Sequence, residues 1–143
     1  MVKSLPDKYI RKAIYDAING VVVDGNTILC YDTRVSGKSN DNYVILSTQS
    51  SNVAKDTKCG YKWESNILID IITRYKLSGN TGSRLLADNI LDKVRELTDT
   101  LVLDVASGLT IVTQAQSFPN DLVSTSENEI VYRKFIRIQF LIN

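Results

Sequence analysis

The chain has 143 residues, of which 43% are hydrophobic and 23% charged, and it carries 17 basic against 16 acidic side chains. These values are typical of one soluble globular domain, residues 1–143, whose core needs no disulfide or metal. The near balance of charge, spread along the whole chain, excludes the basic stripe that duplex nucleic acid requires, so we expect no sequence-specific nucleic-acid binding.

The sequence contains no histidine and two cysteines, Cys30 and Cys59. Every mechanism that uses histidine as a base, and every zinc or iron site with a histidine ligand, is therefore excluded. Two cysteines twenty-nine positions apart supply neither a four-thiolate zinc site nor a disulfide framework. We interpret both as buried or incidental free thiols.

Membrane and secretion signals are not found. The N-terminal residues MVKSLPDKYIRK lack the apolar run of a signal peptide. The longest nearly apolar run, residues 66–73, is interrupted by Asp70 and is far shorter than a bilayer span. We expect a protein made in a reducing cytoplasm that does not bind membranes.

Two segments have apolar residues at three- and four-residue spacing, which predicts amphipathic helices over residues 6–19 and from 83 to about 97. The apolar stripes consist of Ile10, Ala13, Ile14, Ala17 and Ile18 in the first helix, and Leu86, Ile90, Val94, Leu97 and Leu101 in the second.

Two long segments alternate with a period of two, which predicts strands with one buried face and one exposed face. In residues 61–75 the buried set is Tyr61, Trp63, Ile67, Ile69, Ile71 and Tyr75. In residues 129–143 it is Ile130, Tyr132, Ile136, Ile138, Phe140 and Ile142. Asp70 falls on the face predicted to be exposed.

Shorter apolar runs predict further strands over residues 21–23, 27–34, 43–50 and 109–116, with a hairpin turn at 24–26. The polar segments 36–42, 51–60 and 117–128 are predicted to be loops. The sequence thus predicts an α+β domain of order α-β-β-β-α-β-β, in which both helices cover one face of an antiparallel sheet.

Three segments resemble chemical motifs but lack features that those motifs require. The Gly-Lys-Ser at 37–39 lacks the preceding glycine and the following helix of a phosphate loop. Residues 79–84 precede a helix but lack the lysine and spacing of a nucleotide fingerprint, and are better explained as a capped loop. Asp88 and Asp92 lie four apart on a solvated helix face. We predict no catalytic, cofactor or metal site.

The exposed sheet face is the candidate functional surface. Arg74, Arg133, Phe135 and Arg137 are predicted to share it. Such a face either meets water or contacts a neighbouring subunit, since arginine and aromatic residues are enriched in interfaces. The remaining candidate interface residues lie in the polar loops, and are Lys38, Lys55, Asp56, Lys58 and Phe118.

The arrangement resembles the tail-terminator and tail-completion proteins of tailed phages. The resemblance covers nearly the whole chain and rests on the order and length of the elements. These are the N-terminal amphipathic helix, the strands NYVILSTQS and YKWESNILIDIITRY, the helix SRLLADNILDKVREL and the closing strand EIVYRKFIRIQFLIN.

The resemblance implies a non-catalytic structural protein of the virion, located in its tail or neck and built in the host cytoplasm. Its partners would be further copies of itself in a homo-hexameric ring, the tail tube protein and the connector proteins on the portal side. The loops 36–42, 51–60 and 117–128 would provide natural contacts with these neighbours.

Two alternatives stay open. One is another neck or ring protein of the head–tail connector in the same kind of particle. The other is a small non-catalytic domain that binds a ligand or peptide in an apolar pocket between helices and sheet. An enzyme would have to work with Asp, Glu, Lys, Tyr or a bound metal, and no pair is positioned for that.

Overall fold

Two helices and seven strands make up the described part of the chain. The computed structural model describes residues 4–32, 41–57, 60–76 and 83–143. The helices are α1 (Asp7–Ile18) and α2 (Leu85–Thr98), and the strands are β1 (Val21–Val23), β2 (Asn26–Asp32), β3 (Asn42–Thr57), β4 (Gly60–Lys76), β5 (Ile111–Ser117), β6 (Leu122–Thr125) and β7 (Glu129–Ile142). A single 3₁₀ turn, Val105–Ser107, lies between α2 and β5.

The strands form one sheet of order β1-β2-β3-β4-β7-β5, and β6 also pairs with β7. Every pairing is antiparallel except that of β2 with β3, which is parallel. The predicted antiparallel sheet is thus mostly correct. Alternation shows which face of a strand is buried but carries no information about strand direction, so the parallel pair was not recognisable.

Both helices pack on the same side of this sheet. Helix α1 contacts β2 and β3, α2 contacts β4 and β7, and the helices contact each other. The predicted apolar stripes are the buried sides, represented by Ile10, Ile14 and Ile18 in α1 and by Ile90 and Val94 in α2. Burying one such side chain contributes about 1.5–3 kcal/mol, which is why amphipathic segments are held against the sheet.

The turns around β1 depend on left-handed backbone conformations. Gly20, directly after α1, has φ +82°, and Asp24 and Gly25, which join β1 to β2, have φ values of 50° and 79°. Two consecutive residues with positive φ make the tight turn that a two-residue hairpin prefers. The predicted hairpin is confirmed.

The inner face of the sheet supplies most of the core. It buries Trp63, Ile67, Ile69 and Ile71 from β4 and Ile136, Ile138, Phe140 and Ile142 from β7. These positions match the alternation in the two long segments, and the α+β class with two helices on one face is confirmed. Tyr75, Ile130 and Tyr132 are only partly buried, at the end of the sheet where β4 and β7 extend past the densest packing.

Two predicted loops are partly strand. Residues 51–57 continue β3 and pair with β4, and residues 122–125 form β6. Residues 51–57 lengthen a strand that was already predicted, and only β6 is additional, so three strands follow α2. Both segments were missed for the same reason. Neither has the alternation of apolar and polar residues that indicates a half-buried strand, and the backbone hydrogen bonds that pair them with a neighbouring strand do not depend on the side chains.

Strands β5 and β6 lie end to end along the same edge of β7. Ser117, the last residue of β5, is opposite Arg137, and Leu122, the first residue of β6, is opposite Arg133. Residues 118–121 separate the two strands.

Lys134 on β7 forms ion pairs with α2 and with the segment before β6. Its side chain is 13% exposed, and its Nζ lies 2.6 Å from Oδ1 of Asp88 on α2 and 2.9 Å from Oδ2 of Asp121, just before β6. Burial alone would lower the pKa of Lys134, but its hydrogen bonds to Asp121 and Asp88 outweigh that effect and raise the pKa. Asp88 is thus an ion-pair partner rather than the plain solvated side chain that the sequence suggested.

Candidate interaction surface

The face of the sheet that points away from the helices, here called the outer face, collects four of the predicted interface residues. Arg74 lies on β4, opposite Val131 in register, and Arg133, Phe135 and Arg137 follow at alternate positions along β7. Arg74 and Arg137 are exposed, and Phe135 is half-buried. The sequence therefore grouped these four residues correctly.

Arg133 is held by a buried carboxylate. Its Nε donates to Oδ1 of Asp70 at 3.4 Å, and its Nη2 donates to Oδ2 of the same residue. The guanidinium also lies over the ring of Phe135, 5.4 Å from its centroid. The hydrogen bond to Asp70 raises the pKa of Arg133, so the guanidinium stays charged. Arg133 is therefore a fixed part of the outer face.

Asp70 departs from the prediction that this position meets water, because only 3% of the residue is exposed. On the outer face it lies between Ile45 of β3 and Phe135 of β7. These large neighbours and Arg133 exclude water from the carboxylate. A buried carboxylate needs a charged or hydrogen-bonding partner, and Arg133 is that partner.

One half of the outer face is largely apolar, which was not predicted from the sequence. Tyr43 and Ile72 are opposite each other in register and are 3% and 6% exposed. The ring of Tyr31 packs edge-on against Tyr43, and the guanidinium of Arg74 lies 5.7 Å from the Tyr43 centroid. The available signal was that apolar residues occupy both alternating positions of β3 and β4, which is typical of strands packed on two sides.

The other half of the outer face is a polar groove of about 500 Å³. Its lining includes Asn52, Asn66, Thr113 and Gln139. Asn66 Nδ2 donates to the hydroxyl of Ser50 at 2.7 Å, so some of these amides already have partners. This groove lies on the opposite side of the sheet from the pocket expected between helices and sheet.

The other predicted interface residues belong to three further segments of the chain. Phe118 is 51% exposed in the connection between β5 and β6. Lys55 and Asp56 lie in β3, opposite Lys62 and Tyr61 of β4. Lys38 and Lys58 lie outside the described residues, as does Cys59.

Within residues 4–32, 41–57, 60–76 and 83–143, the side chains form no group of three or more potential metal ligands. Neither α1 nor α2 is long and apolar enough to cross a membrane. Cys30 is buried under α1, and burial raises the pKa of its thiol to about 12, with a further contribution from the charge of Asp32.

Comparison with known proteins shows a shared fold. Neither the protein-family models nor the curated protein sequences give a match. Among solved structures, the chain is similar to one described as "Virion of native gene transfer agent (GTA) particle", with a TM-score of 0.60 and 19% sequence identity. The match covers 94% of this chain and 96% of the other. The likeness thus extends over nearly the whole chain.

Proposed function

We propose that this chain is a non-catalytic structural protein of a phage-like virion, and that it acts as a tail terminator or tail-completion protein. In this role a homo-hexameric ring of the protein caps the tail tube and joins it to the connector proteins on the portal side. The observation that carries the proposal is the fold that the chain shares, over nearly all its length, with a chain of a gene transfer agent virion.

The outer face supports an assembly role. It combines half-buried aromatic residues with exposed arginines, the composition that is enriched in protein interfaces. Phe135 and Arg137 lie beside the fixed Asp70–Arg133 pair, so the surface is preorganised and loses little conformational entropy on binding.

The test is to add the purified protein to tail tubes while they assemble from tail tube protein. Because a cap blocks further addition of tube subunits, the purified protein should shorten the tubes that tail tube protein forms, in proportion to its concentration. Electron microscopy would give the length distribution and show a ring at one tube end. Unchanged tube lengths and no density at the ends would refute the proposal.

Arg137→Glu is the informative variant. Arg137 is exposed and lies outside the core, so the variant should fold like the wild type. Its reversed charge should weaken assembly through the outer face. Lys8→Glu, an equal charge change at an exposed position of α1, is the matched control. If Arg137→Glu assembles normally, the outer face is not part of the interface.

The alternative within the same class is another ring protein of the head–tail connector. Such a protein would bind the portal-side connector and leave tube length unchanged. Sedimentation of the protein with tail tubes and, separately, with portal-side connector complexes distinguishes the two roles.

A further inference from the structure

A shallow groove on the helix side of the molecule has chemistry opposite to that of the outer face. It lies between the β1–β2 turn and α2, has a volume of about 330 Å³, and is called here the acidic groove. Val22, which is 61% exposed, provides an apolar surface in it. The exposed residues Asp24, Asp92 and Glu96 surround this surface, and Lys93 is the one basic residue in the lining described.

The groove is locally ordered and acidic. Asn89 Nδ2 donates to Oδ2 of Asp24 at 2.6 Å, which links the hairpin turn to α2. Nζ of Lys93 lies 3.8 Å from Oε1 of Glu96 and offsets one of the three carboxylates. Residues 85–110 as a whole contain five acidic and two basic residues, so the negative charge continues beyond the groove.

The outer face carries the opposite charge. Phe135 lies between Arg133 and Arg137 along β7, the exposed Arg74 lies further away on β4, and Asp70, the partner of Arg133, is the buried carboxylate of the same region. One side of this chain thus presents an aromatic ring flanked by guanidinium groups. The other side presents an exposed valine flanked by carboxylates.

We propose that the acidic groove of one copy of this chain receives Phe135 and Arg137 of the next copy. Phe135 packs on Val22, and Arg137 lies against the carboxylates of Asp92 and Glu96. Apolar contact at the centre with opposite charges around it is the usual anatomy of a specific interface. This inference rests on the proposed function, since it identifies the surfaces through which the ring forms.

The placement of the two surfaces determines the kind of assembly. The acidic groove lies on the helix side of the sheet and Phe135 lies on the opposite side, so the contact joins two different patches. Such a contact repeats from copy to copy and closes into a ring or continues as a filament, whereas a twofold dimer would need a self-complementary patch. One repeated contact is therefore sufficient to build the ring of the proposed function.

Charge exchange tests the contact directly. Three variants would be compared with the wild type by light scattering and sedimentation over a range of concentrations: Arg137→Glu, Asp92→Lys, and the two combined. Asp92→Lys should fold, because a lysine at position 92 lies one helical turn from both Asp88 and Glu96. Lys8→Glu again controls for the change in net charge of Arg137→Glu, and the combined variant has the net charge of the wild type. Circular dichroism would verify the folding of each variant.

We expect each single reversal to weaken self-association by about tenfold or more, and the combined variant to recover to within about threefold of the wild type. Raising the salt concentration should weaken the wild-type assembly as well. A combined variant that associates no better than the single ones would overturn the contact.

The inference and the proposed function fail in different ways. If the wild type stays monomeric at every concentration but shortens tail tubes, this inference is wrong, while the tail-terminator role in the proposed function stands. If the protein forms the predicted charge-dependent ring yet leaves tube length unchanged, the inference stands and the tail-terminator role is wrong.

Discussion

The guanidinium of Arg133 on β7 donates two hydrogen bonds to the carboxylate of Asp70 on the neighbouring strand β4, across the outer face of the sheet. The two partners differ in exposure, because the Asp70 side chain is 4% exposed and that of Arg133 is 41% exposed. The pair therefore holds one charge away from water and the other at the surface. Loss of the arginine would leave a buried charge unpaired.

Arg133→Ala should lower the free energy of unfolding by about 1–3 kcal/mol, because it removes the partner of a buried carboxylate while the arginine itself is partly screened by solvent. Urea denaturation measures the change. Arg137→Ala, the next outer-face arginine along β7, is the control and should be close to neutral. The combined change Asp70→Leu with Arg133→Met should restore most of the stability, since it removes both charges. Equal stabilities of Arg133→Ala and Arg137→Ala would contradict this account.

Lys134→Met should also destabilise the protein, by about 1 kcal/mol, because it releases α2 and the segment before β6 from their shared ammonium group. The pKa of Lys134 is raised in the folded state, so its contribution is fully present below the ordinary lysine pKa and is lost as the pH rises through the folded value. The difference in free energy of unfolding between wild type and Lys134→Met should therefore be smaller at strongly alkaline pH than at neutral pH, and denaturation at both pH values measures it. Lys12→Met, which breaks the exposed Lys12–Asp16 pair on α1, should have no measurable effect. A similar loss of stability in that variant would argue against a special role for the ion pairs of Lys134.

The thiol of Cys30 should be unreactive in the folded protein. Burial raises its pKa from 9.0 to about 12, so almost no thiolate exists at pH 8, and the thiolate is the nucleophile. In a Cys59→Ser background, a thiol reagent should modify Cys30 at pH 8 only after a denaturant is added.

Between pH 9 and 12 the unfolded chain releases the proton of Cys30 and the folded chain keeps it, so the free energy of unfolding should fall with rising pH. Cys30→Ala should show a shallower decline, and a rapidly modified native Cys30 would disprove its burial.

Thr73 contains a hydroxyl group that the fold leaves unsatisfied. Among the described residues its Oγ1 is buried without a hydrogen-bond partner, and the residue is fully buried opposite Asn42. Thr73→Val replaces this hydroxyl with a methyl group of similar size and should stabilise the protein by about 1 kcal/mol. Thr73→Ala, which also opens a small cavity, should not. Thermal or chemical denaturation of the two variants would separate these effects, and a destabilised Thr73→Val would indicate a polar partner for Oγ1.

The sequence predicted the inner side of the fold far better than the outer side. Ile67, Ile69 and Ile138 were placed correctly, because a core-facing strand must alternate and a core-facing helix must repeat every three to four residues. Asp70 lies on the predicted face, but its exposure was predicted wrongly, because its burial depends on residues of other strands that meet it only after folding. The acidic groove was equally invisible, since the β1–β2 turn and α2 are more than sixty residues apart.

The extended part of β3 shows the same limit. Residues 51–57 are mostly polar, so nothing in their pattern distinguishes a strand from a loop, although the structure pairs them with β4. That pairing is made by the backbone, whose hydrogen-bonding groups are common to nearly every residue type.

The interruption between β5 and β6 has a consequence for solubility. An unbroken outermost strand exposes a row of N–H and C=O groups that can recruit strands from other molecules, and proteins avoid this by shortening or bending such strands. Residues 118–121, with Pro119 among them, divide the border of the sheet into pieces of seven and four residues. Deleting Pro119 alone would leave residues 118, 120 and 121 opposite residues 134–136 and allow one continuous strand alongside β7, and the altered protein should deposit as fibrous, dye-binding aggregates where the natural sequence stays in solution.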